Sequence, residues 1–486
     1  MTIAAPERFR LTGGLEISRI LNGLWQVADM ERDGSELDPG EAAGHLAQYA
    51  SGGFDTFDMA DHYGSAEIIA SRLLLRCPDA RVFTKWCPPP GPMTPATVRA
   101  GVQDRLERLG VERVELLQFH WWSFEHPAWL DALHELAALR KEGLIGEIGV
   151  TNFDAAHLHL ALADGVPVRT NQVVCSLLDR RFTGELAVTC ARHGVHLLAY
   201  GTICGGFLSE QWLGRPEPAD ITDWSKMKYR RFIEAAGGWD AYQAVLAAAV
   251  GIARKHGVSA TNVAARWVLH HPHVAGVIIG VRPGRNDHRE DNAELFGFDL
   301  DSEDHRALSD AFAGTTSIPG DCGDEYRTPP FLTASGDLSH HLNSIPSAYS
   351  TMGMRGRSEV RLAMSGSKWE DLAGYCRARR MGDRILVSGT TATAGADRVV
   401  AERDAGAQAT YILDKIIGAV VALGGKVEDI SRTRIYLTDI EDAEAVSAAH
   451  GRVFGELKPA NTLVGINALA GDYLVEIEAE AILTQA

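Results

Sequence analysis

The chain has 486 residues, 45% of them hydrophobic and 23% charged, a globular composition whose length implies two or three domains rather than one core. A formal charge of −17 excludes nucleic acid or an anionic membrane surface as the main partner, because phosphates are repelled over most of the surface. The first ten residues lack the apolar stretch of a secretory signal, and the most apolar run, Ala244–Ala253, is too short to span a bilayer.

Along the chain, short apolar runs recur at Arg19–Gln26, Phe54–Ala60, Arg81–Trp86, Glu115–Trp121, Ile145–Asn152, Arg169–Cys175, His196–Gly201 and Val274–Val281. They are nearly continuous rather than alternating, as in parallel strands buried on both faces. Amphipathic stretches such as Ala96–Leu109 and Trp129–Glu142 lie between them, the second stopped by Gly143. Eight strands alternating with helices predict an α/β fold, a (β/α)8 TIM barrel over residues 1–314. A doubly wound open sheet is the competing arrangement, but no G-x-G-x-x-G follows the first strand.

Residues 315–355, rich in Pro, Gly and Ser, are read as a linker. Periodicity returns in 356–486. It predicts strands at Arg384–Gly389 and Ser431–Leu437, helices at Ala405–Leu423 and Ala443–Phe454, and two last strands near Thr462–Ile466 and Leu474–Leu483. This is a second, α+β domain. The seven cysteines, odd in number and without C-x-x-C spacing, read as free thiols of a cytoplasmic protein.

In a barrel, chemistry gathers where strands end at the C-terminal face. The residues closing the predicted strands include Asp58, Lys85, His120, Asn152, Gln172 and Tyr200, with Tyr63 just beyond the second. Four of them suit carbonyl reduction. A tyrosine, with a pKa of about 10, exchanges protons reluctantly near neutrality. An adjacent lysine favours the tyrosinate, a carboxylate keeps the lysine charged, and a histidine can hydrogen-bond the carbonyl oxygen.

The stretch from Asp58 through Tyr63-Gly64 to Glu67 resembles the D-x-A-x-x-Y-G-x-x-E signature of the aldo-keto reductase superfamily. Lys85 and His120 fall where that family's lysine and histidine fall. The resemblance covers about 10–312. It implies catalysis by Tyr63, tuned by Lys85 and Asp58, with His120 orienting a small carbonyl substrate. It also implies a nicotinamide pocket: Thr151, Asn152 and Gln172 on the carboxamide, Tyr200 stacked on the ring, and Gly201 near the pyrophosphate. Gly280, Arg282, Arg285 and Asn292 would lie at the adenosine phosphate, with Arg289 as the alternative to Arg285. Arginines suit a 2′-phosphate, so NADPH is expected and NADH is the second candidate. Two departures stand out: Gly201-Thr202 replaces the family's frequent Ser-Pro, and the Gly280–Asn292 stretch is about two residues long for the family.

Trp25, Trp86 and Trp121, near strand ends, are candidates for the substrate wall, with core packing as the alternative. The insertion Leu213–Gly238 is read as either a lid or a packed excursion. His270, His271 and His273 flank Pro272 at a helix end, where imidazolium needs no metal, and no metal site is expected.

The tail resembles the Rid family of imine and enamine deaminases, in Leu386–Gly389, Tyr436–Asp439, the FGELKPANTLVGINAL stretch and LVEIEAEAIL. The resemblance implies a chorismate-mutase-like fold, assembled as a homo-oligomer through this domain, a trimer by analogy. Asn461 follows Pro459-Ala460 where active members carry an arginine, and Glu476 falls where the family's water-positioning acid falls. A neutral amide cannot clamp a carboxylate in bidentate fashion, so ligand binding or assembly is expected instead of deamination. The function expected is an NAD(P)H-dependent oxidoreductase acting on an aldehyde, ketone or sugar. The alternatives are a bifunctional enzyme handling a labile imine-type intermediate, and a cofactor-sensing regulatory protein.

Overall fold

A computed structural model describes residues 4–285, 287–327, 346–395 and 397–484. Eight parallel strands close into a barrel: β1 Ile20–Gly23, β2 Thr56–Asp58, β3 Arg81–Trp86, β4 Val114–His120, β5 Ile145–Thr151, β6 Val168–Val174, β7 His196–Tyr200 and β8 Val274–Gly280. Each pairs with the next, and β8 pairs back onto β1 through Gly280 and Gly23. The open-sheet alternative is thereby excluded. The apolar runs predict this arrangement because barrel interior and helices cover both faces of each strand.

The N-terminal end of the barrel is plugged by an antiparallel hairpin, Arg8–Arg10 with Glu16–Ser18. Its Leu11 and Ile17 pack on Leu21, Phe83, Leu116, Leu198 and Ala275. Burying each large side chain of this cluster contributes roughly 1.5–3 kcal/mol. Helix boundaries follow local chemistry: Pro95–Leu109 starts where Thr94 accepts from the Thr97 amide at 3.2 Å and stops at Gly110, φ 66°.

A seven-stranded sheet forms the C-terminal unit. Its strands are β9 Ser350–Met354, β10 Arg357–Met364, β11 Ala378–Met381, β12 Arg384–Thr391, β13 Ile430–Leu437, β14 Ala460–Gly465 and β15 Val475–Ile482, in the order β9-β10-β11-β12-β15-β13-β14. Only the β13–β14 pair is parallel. Val475, Ile477, Ala479 and Ala481 of β15 are buried, while Glu476, Glu478 and Glu480 alternate on the other face. β9 lies inside the stretch read as linker. Its side chains are all exposed, so it carries no alternating signal.

Four helices matter below: α1 Ala155–Ala163, α2 Trp224–Ala235, α3 Ala405–Ala422 and α4 Ala443–Phe454. α3 is apolar nearly all round and buried along most of its length, as such a helix must be. It is packed between its own sheet and α1 of the barrel. Residues 316–327 run across the barrel instead of spanning free space: the Thr316 amide donates to the Ala236 carbonyl, and Asp321 accepts from the Ala155 amide, both at 3.0 Å. Among the described residues, no helix is long and apolar enough to cross a membrane.

Candidate active site

In-register parallel pairing brings the strand ends to one level, since Gly23 lies beside Asp58, Lys85 beside Gln118, His120 beside Thr151, and Thr151 beside Gln172. There Asp58, Tyr63, Lys85, His120, Thr151, Asn152, Gln172, Tyr200 and Gly201 line one cavity of about 270 Å³, with Trp25, Gly280 and Arg282 in the same wall.

Lys85 and Asp58 form its floor, 2% and 3% exposed. Lys85 Nζ donates to Asp58 Oδ2 at 2.7 Å and to the Met59 carbonyl at 2.9 Å. Asp58 Oδ1 accepts from Gln118 Nε2 at 2.9 Å and Gln172 Nε2 at 2.7 Å. A buried ion pair costs several kcal/mol of desolvation per ion, and only such complete hydrogen bonding offsets it. The Lys85 ammonium lies 5.0 Å from the centre of the Tyr63 ring, against which Trp25 packs edge-on. His120 packs on Trp122, ring centres 4.1 Å apart.

The far wall is built around Tyr200. Its hydroxyl donates to Asn152 Oδ1 at 2.8 Å and lies 3.3 Å from both Glu325 Oε1 and Tyr326 Oη. Burial, with Tyr326 and Glu325 nearby, pushes this phenol well above the ordinary tyrosine pKa and keeps it neutral. Lys228 on α2 donates to the Tyr326 hydroxyl. Its ammonium lies 5.0 Å from the Tyr200 ring centre and 4.6 Å from that of Tyr326. The insertion therefore lines the cavity through Ser225, Lys226, Lys228 and Tyr229, and also buries Phe232 and Ile233.

Several expected residues sit elsewhere. Trp86 and Trp121 are buried but are not among the residues lining the cavity. Neighbours along a strand point to opposite faces, so Lys85 and His120 aimed inward send Trp86 and Trp121 outward to the helices. The Trp121 indole donates to the Ser123 and His126 carbonyls at 2.6 and 3.1 Å. Arg285 is exposed and Asn292 is buried in the short helix Arg289–Glu294, both away from the lining. Arg289 is taken up by Asp287, Nε to Oδ1 2.9 Å. Arg282 does line the cavity, bonded to Gln26 Oε1 at 2.9 and 3.0 Å and paired with Asp29 and Asp223.

Gln172 offers a carboxamide only its carbonyl oxygen, because its amide nitrogen is spent on Asp58 and on Gln118 Oε1 at 2.9 Å. Thr151 Oγ1 is buried without a hydrogen-bond partner among the described residues. Gly201, Gly205 and Gly206 leave backbone exposed in the lining, and Lys226 and Arg282 supply cations there, both paired with Asp223. An orphaned hydroxyl, open backbone and cations in one cavity fit a dinucleotide bearing a carboxamide and phosphates.

Among the described residues, His270, His271 and His273 do not converge as ligands. The one set of three ligand atoms within 4.8 Å among the described residues is Asp61, His62 and Cys87. There Asp61 already accepts from the Cys87 amide at 2.9 Å, and burial pushes the Cys87 thiol up to about 12.

In the C-terminal sheet, Asn461 lies opposite Thr433, and Glu476 lies between Thr391 and Tyr436. The chain does not bring Asn461 and Glu476 together. Burial pushes the Glu476 carboxyl up, against the influence of Arg377.

Gln118, Lys228, Glu325 and Tyr326 were not foreseen. Gln118 had a signal, since two residues before His120 on one strand it shares the inward face. Glu325 and Tyr326 lie on a segment without periodicity, and Lys228 is a charged residue on the buried face of α2.

A closed (β/α)8 barrel with an Asp–Tyr–Lys–His set at its C-terminal mouth defines the class of protein. Residues 19–312 match the model of the aldo/keto reductase family, and residues 366–483 match that of endoribonuclease L-PSP. The chain belongs to the aldo/keto reductase family, with a Rid-type (L-PSP) unit fused behind its barrel. It is 32% identical to Protein tas of Escherichia coli over 243 residues, which is 46% of this chain and 68% of that protein. Its tail is 36% identical to an uncharacterized protein of Streptomyces coelicolor over 123 residues, 25% of this chain and 91% of that protein. Among solved structures, the glycerol dehydrogenase of Gluconobacter oxydans is 27% identical with a TM-score of 0.53, covering 65% of this chain and 97% of that one.

Proposed function

We propose that this oxidoreductase uses NADPH to interconvert a small aldehyde, ketone or sugar with its alcohol. The observation that carries the reading is the Lys85 ammonium, held by Asp58 at 2.7 Å and lying 5.0 Å from the Tyr63 ring centre, in the cavity that also holds His120. The glycerol dehydrogenase among the similar structures supports a hydroxylated substrate.

When bound, the cofactor supplies the hydride that adds to the carbonyl carbon. The chain supplies everything else. His120 hydrogen-bonds the carbonyl oxygen and fixes its direction. Tyr63 gives its phenolic proton to that oxygen as negative charge develops, and Lys85 stabilises the resulting tyrosinate. Asp58 keeps Lys85 charged and in place. In the oxidative direction Tyr63 takes the alcohol proton back. Thr151, Asn152 and the Gln172 carbonyl hold the carboxamide, and Arg282 faces the phosphate end.

The Rid-type unit, bounded in this reading at 356–486 after a 315–355 connection and the 1–314 barrel, serves ligand binding or homo-oligomer assembly rather than deamination. Free cysteines suit a cytoplasmic enzyme.

Fluorescence titration with NADPH, alongside Tyr63→Phe, tests the proposal. Saturable binding that survives in the variant, with turnover of carbonyl substrates lost, is the expected result. Full turnover in Tyr63→Phe would overturn the mechanism.

A further inference from the structure

Barrel and C-terminal unit meet where α1 packs on α3, and inside that contact one histidine is held by carboxylates from both sides. His157 on α1 is buried, with Nδ1 2.6 Å from Asp154 Oδ2 and Nε2 2.9 Å from Asp414 Oδ2 on α3. Burial would discharge the ring, but Asp154 and then Asp414 raise it above an ordinary histidine, so both nitrogens carry protons to donate. Phe124 stacks face to face on the imidazole at 3.5 Å. It follows the catalytic His120 by four residues, and the Arg327 guanidinium lies 4.3 Å from its ring centre.

This network ends at the cavity. Asp154 caps α1, accepting from the His157 amide at 2.9 Å, and stands two residues beyond Asn152. Asn152 has φ 58°, a positive value that asparagine adopts more readily than most non-glycine residues. Arg327 donates to its carbonyl at 2.6 Å. Other contacts between the halves lie farther along α1, past its end, or on barrel segments before it, where Arg398 lies 3.9 Å from Asp131 and the Glu125 carbonyl packs against Gly418 of α3. His159 meets Asp404 at 2.7 Å, while Asp164 meets Arg398 at 2.7 Å and the Ala401 amide at 2.8 Å. They hold the halves together without Asp414. What Asp414 adds is a grip on the end of α1 nearest Asn152.

We propose that Asp414 is a positioning residue for the barrel: through His157 and Asp154 it holds the Thr151–Asn152 turn in the shape that receives the nicotinamide cofactor. The fused unit thereby sets the barrel's cofactor affinity. The mechanical link stands on the contacts above, and the identity of the cofactor rests on the function proposed in the preceding section.

The test uses the full chain with Asp414→Ala and Asp414→Asn, since an asparagine carbonyl still accepts from His157 Nε2. Amide hydrogen exchange over residues 150–158 is read without cofactor, with residues 274–280 of β8 as the internal control. NADPH Kd, KM and kcat are read in parallel. In Asp414→Ala, exchange over 150–158 is expected to quicken about tenfold and NADPH Kd and KM to rise about tenfold, a typical coupling between two sites. The control strand and kcat stay near the parent, and Asp414→Asn recovers most of the loss. Exchange and Kd within about twofold of the parent, below a typical coupling, would overturn the proposal. Equal acceleration in β8 would overturn it too, reducing Asp414 to a general stabiliser. Should Asp414→Ala fail to fold, His157→Gln must give the same segment-limited exchange and weaker binding, or the proposal falls. Segment-limited exchange in a chain that binds no NADPH would support the link and overturn the cofactor reading instead.

Discussion

The barrel mouth and the C-terminal sheet treat their polar residues in opposite ways. Asp58, Lys85, Gln118 and Gln172 come from four strands and meet within hydrogen-bond distance. Asn461 and Glu476 lie opposite Thr433 and Tyr436, three positions apart along β13, which is roughly 10 Å of strand. A closed barrel aims every second side chain at one axis, so polar strand ends converge without further help. An open sheet spreads them over a plane. Its acids are instead satisfied locally: Arg434 reaches Glu478 at 2.8 Å and Glu480 at 3.2 Å. Exposed pairs of this kind contribute about 0–1 kcal/mol each and build no cavity.

The sharpest way to break this comparison is Lys85→Met. If convergence at the mouth makes the catalyst, kcat falls by about 10²–10⁴-fold, the usual worth of a positioned acid–base group. NADPH binding persists, because Lys85 faces Asp58 and Tyr63 rather than the phosphate end. The variant also leaves the Asp58 carboxylate buried without its cation, a loss of roughly 3–5 kcal/mol that thermal unfolding would register. Turnover near the parent value would mean the cluster is structural, no different in kind from the paired acids of the sheet.

A smaller effect probes the seam between the regions. Burial, then Asp414 and Glu428, pushes the Glu125 carboxyl up to about 7. The folded chain therefore keeps this proton longer than the unfolded one. The associated stability is fully present below the unfolded pKa, near 4.5, and is lost as pH rises through 7. Glu125→Gln removes that loss, on the order of 3 kcal/mol. Its melting temperature is expected to exceed the parent's by a few degrees in mildly alkaline buffer, the gap narrowing as pH falls and closing below the unfolded pKa near 4.5. Parallel melting curves for the two proteins across that range would show that Glu125 is not desolvated by α3.

How much of this was legible in the sequence follows from the same contrast. Strands covered on both faces leave continuous apolar runs, so the barrel and its inward Asp58, Lys85 and His120 could be read directly. Trp86 and Trp121 misled because adjacency along a strand means opposite faces. β9 to β11 left little signal, since SerThrMetGlyMet is fully exposed and Arg379, Arg380 and Arg361 interrupt the apolar pattern. Tyr326 and Lys228 reach the cavity, and Glu325 reaches the Tyr200 hydroxyl behind it, from segments whose path is set by the surfaces they cross. His157 and Asp414 were hidden for another reason. Each is a polar residue in an apolar helix, and its partner lies 257 positions away.

The smallest expected effect is none. If the sheet gathers no catalyst, the full chain should not accelerate imine or enamine hydrolysis, followed as release of a keto acid from an imino acid generated in the cuvette. Asn461 Oδ1 is already engaged by the Thr433 hydroxyl at 3.2 Å, which also lies 2.9 Å from His450. A neutral amide so placed lacks the charge-assisted, two-pronged grip of a guanidinium, about twice as strong per bond. Arg377 is the cation nearest in effect to Glu476, but it is buried and donates to the Gly389 carbonyl at 2.8 Å. Hydrolysis above the uncatalysed rate would therefore have one clear implication: Arg377 leaves Gly389 to hold the substrate carboxylate. Arg377→Lys would then abolish the rate while Asn461→Ala left it intact, and the sheet would have to be counted as a second place where this chain assembles chemistry.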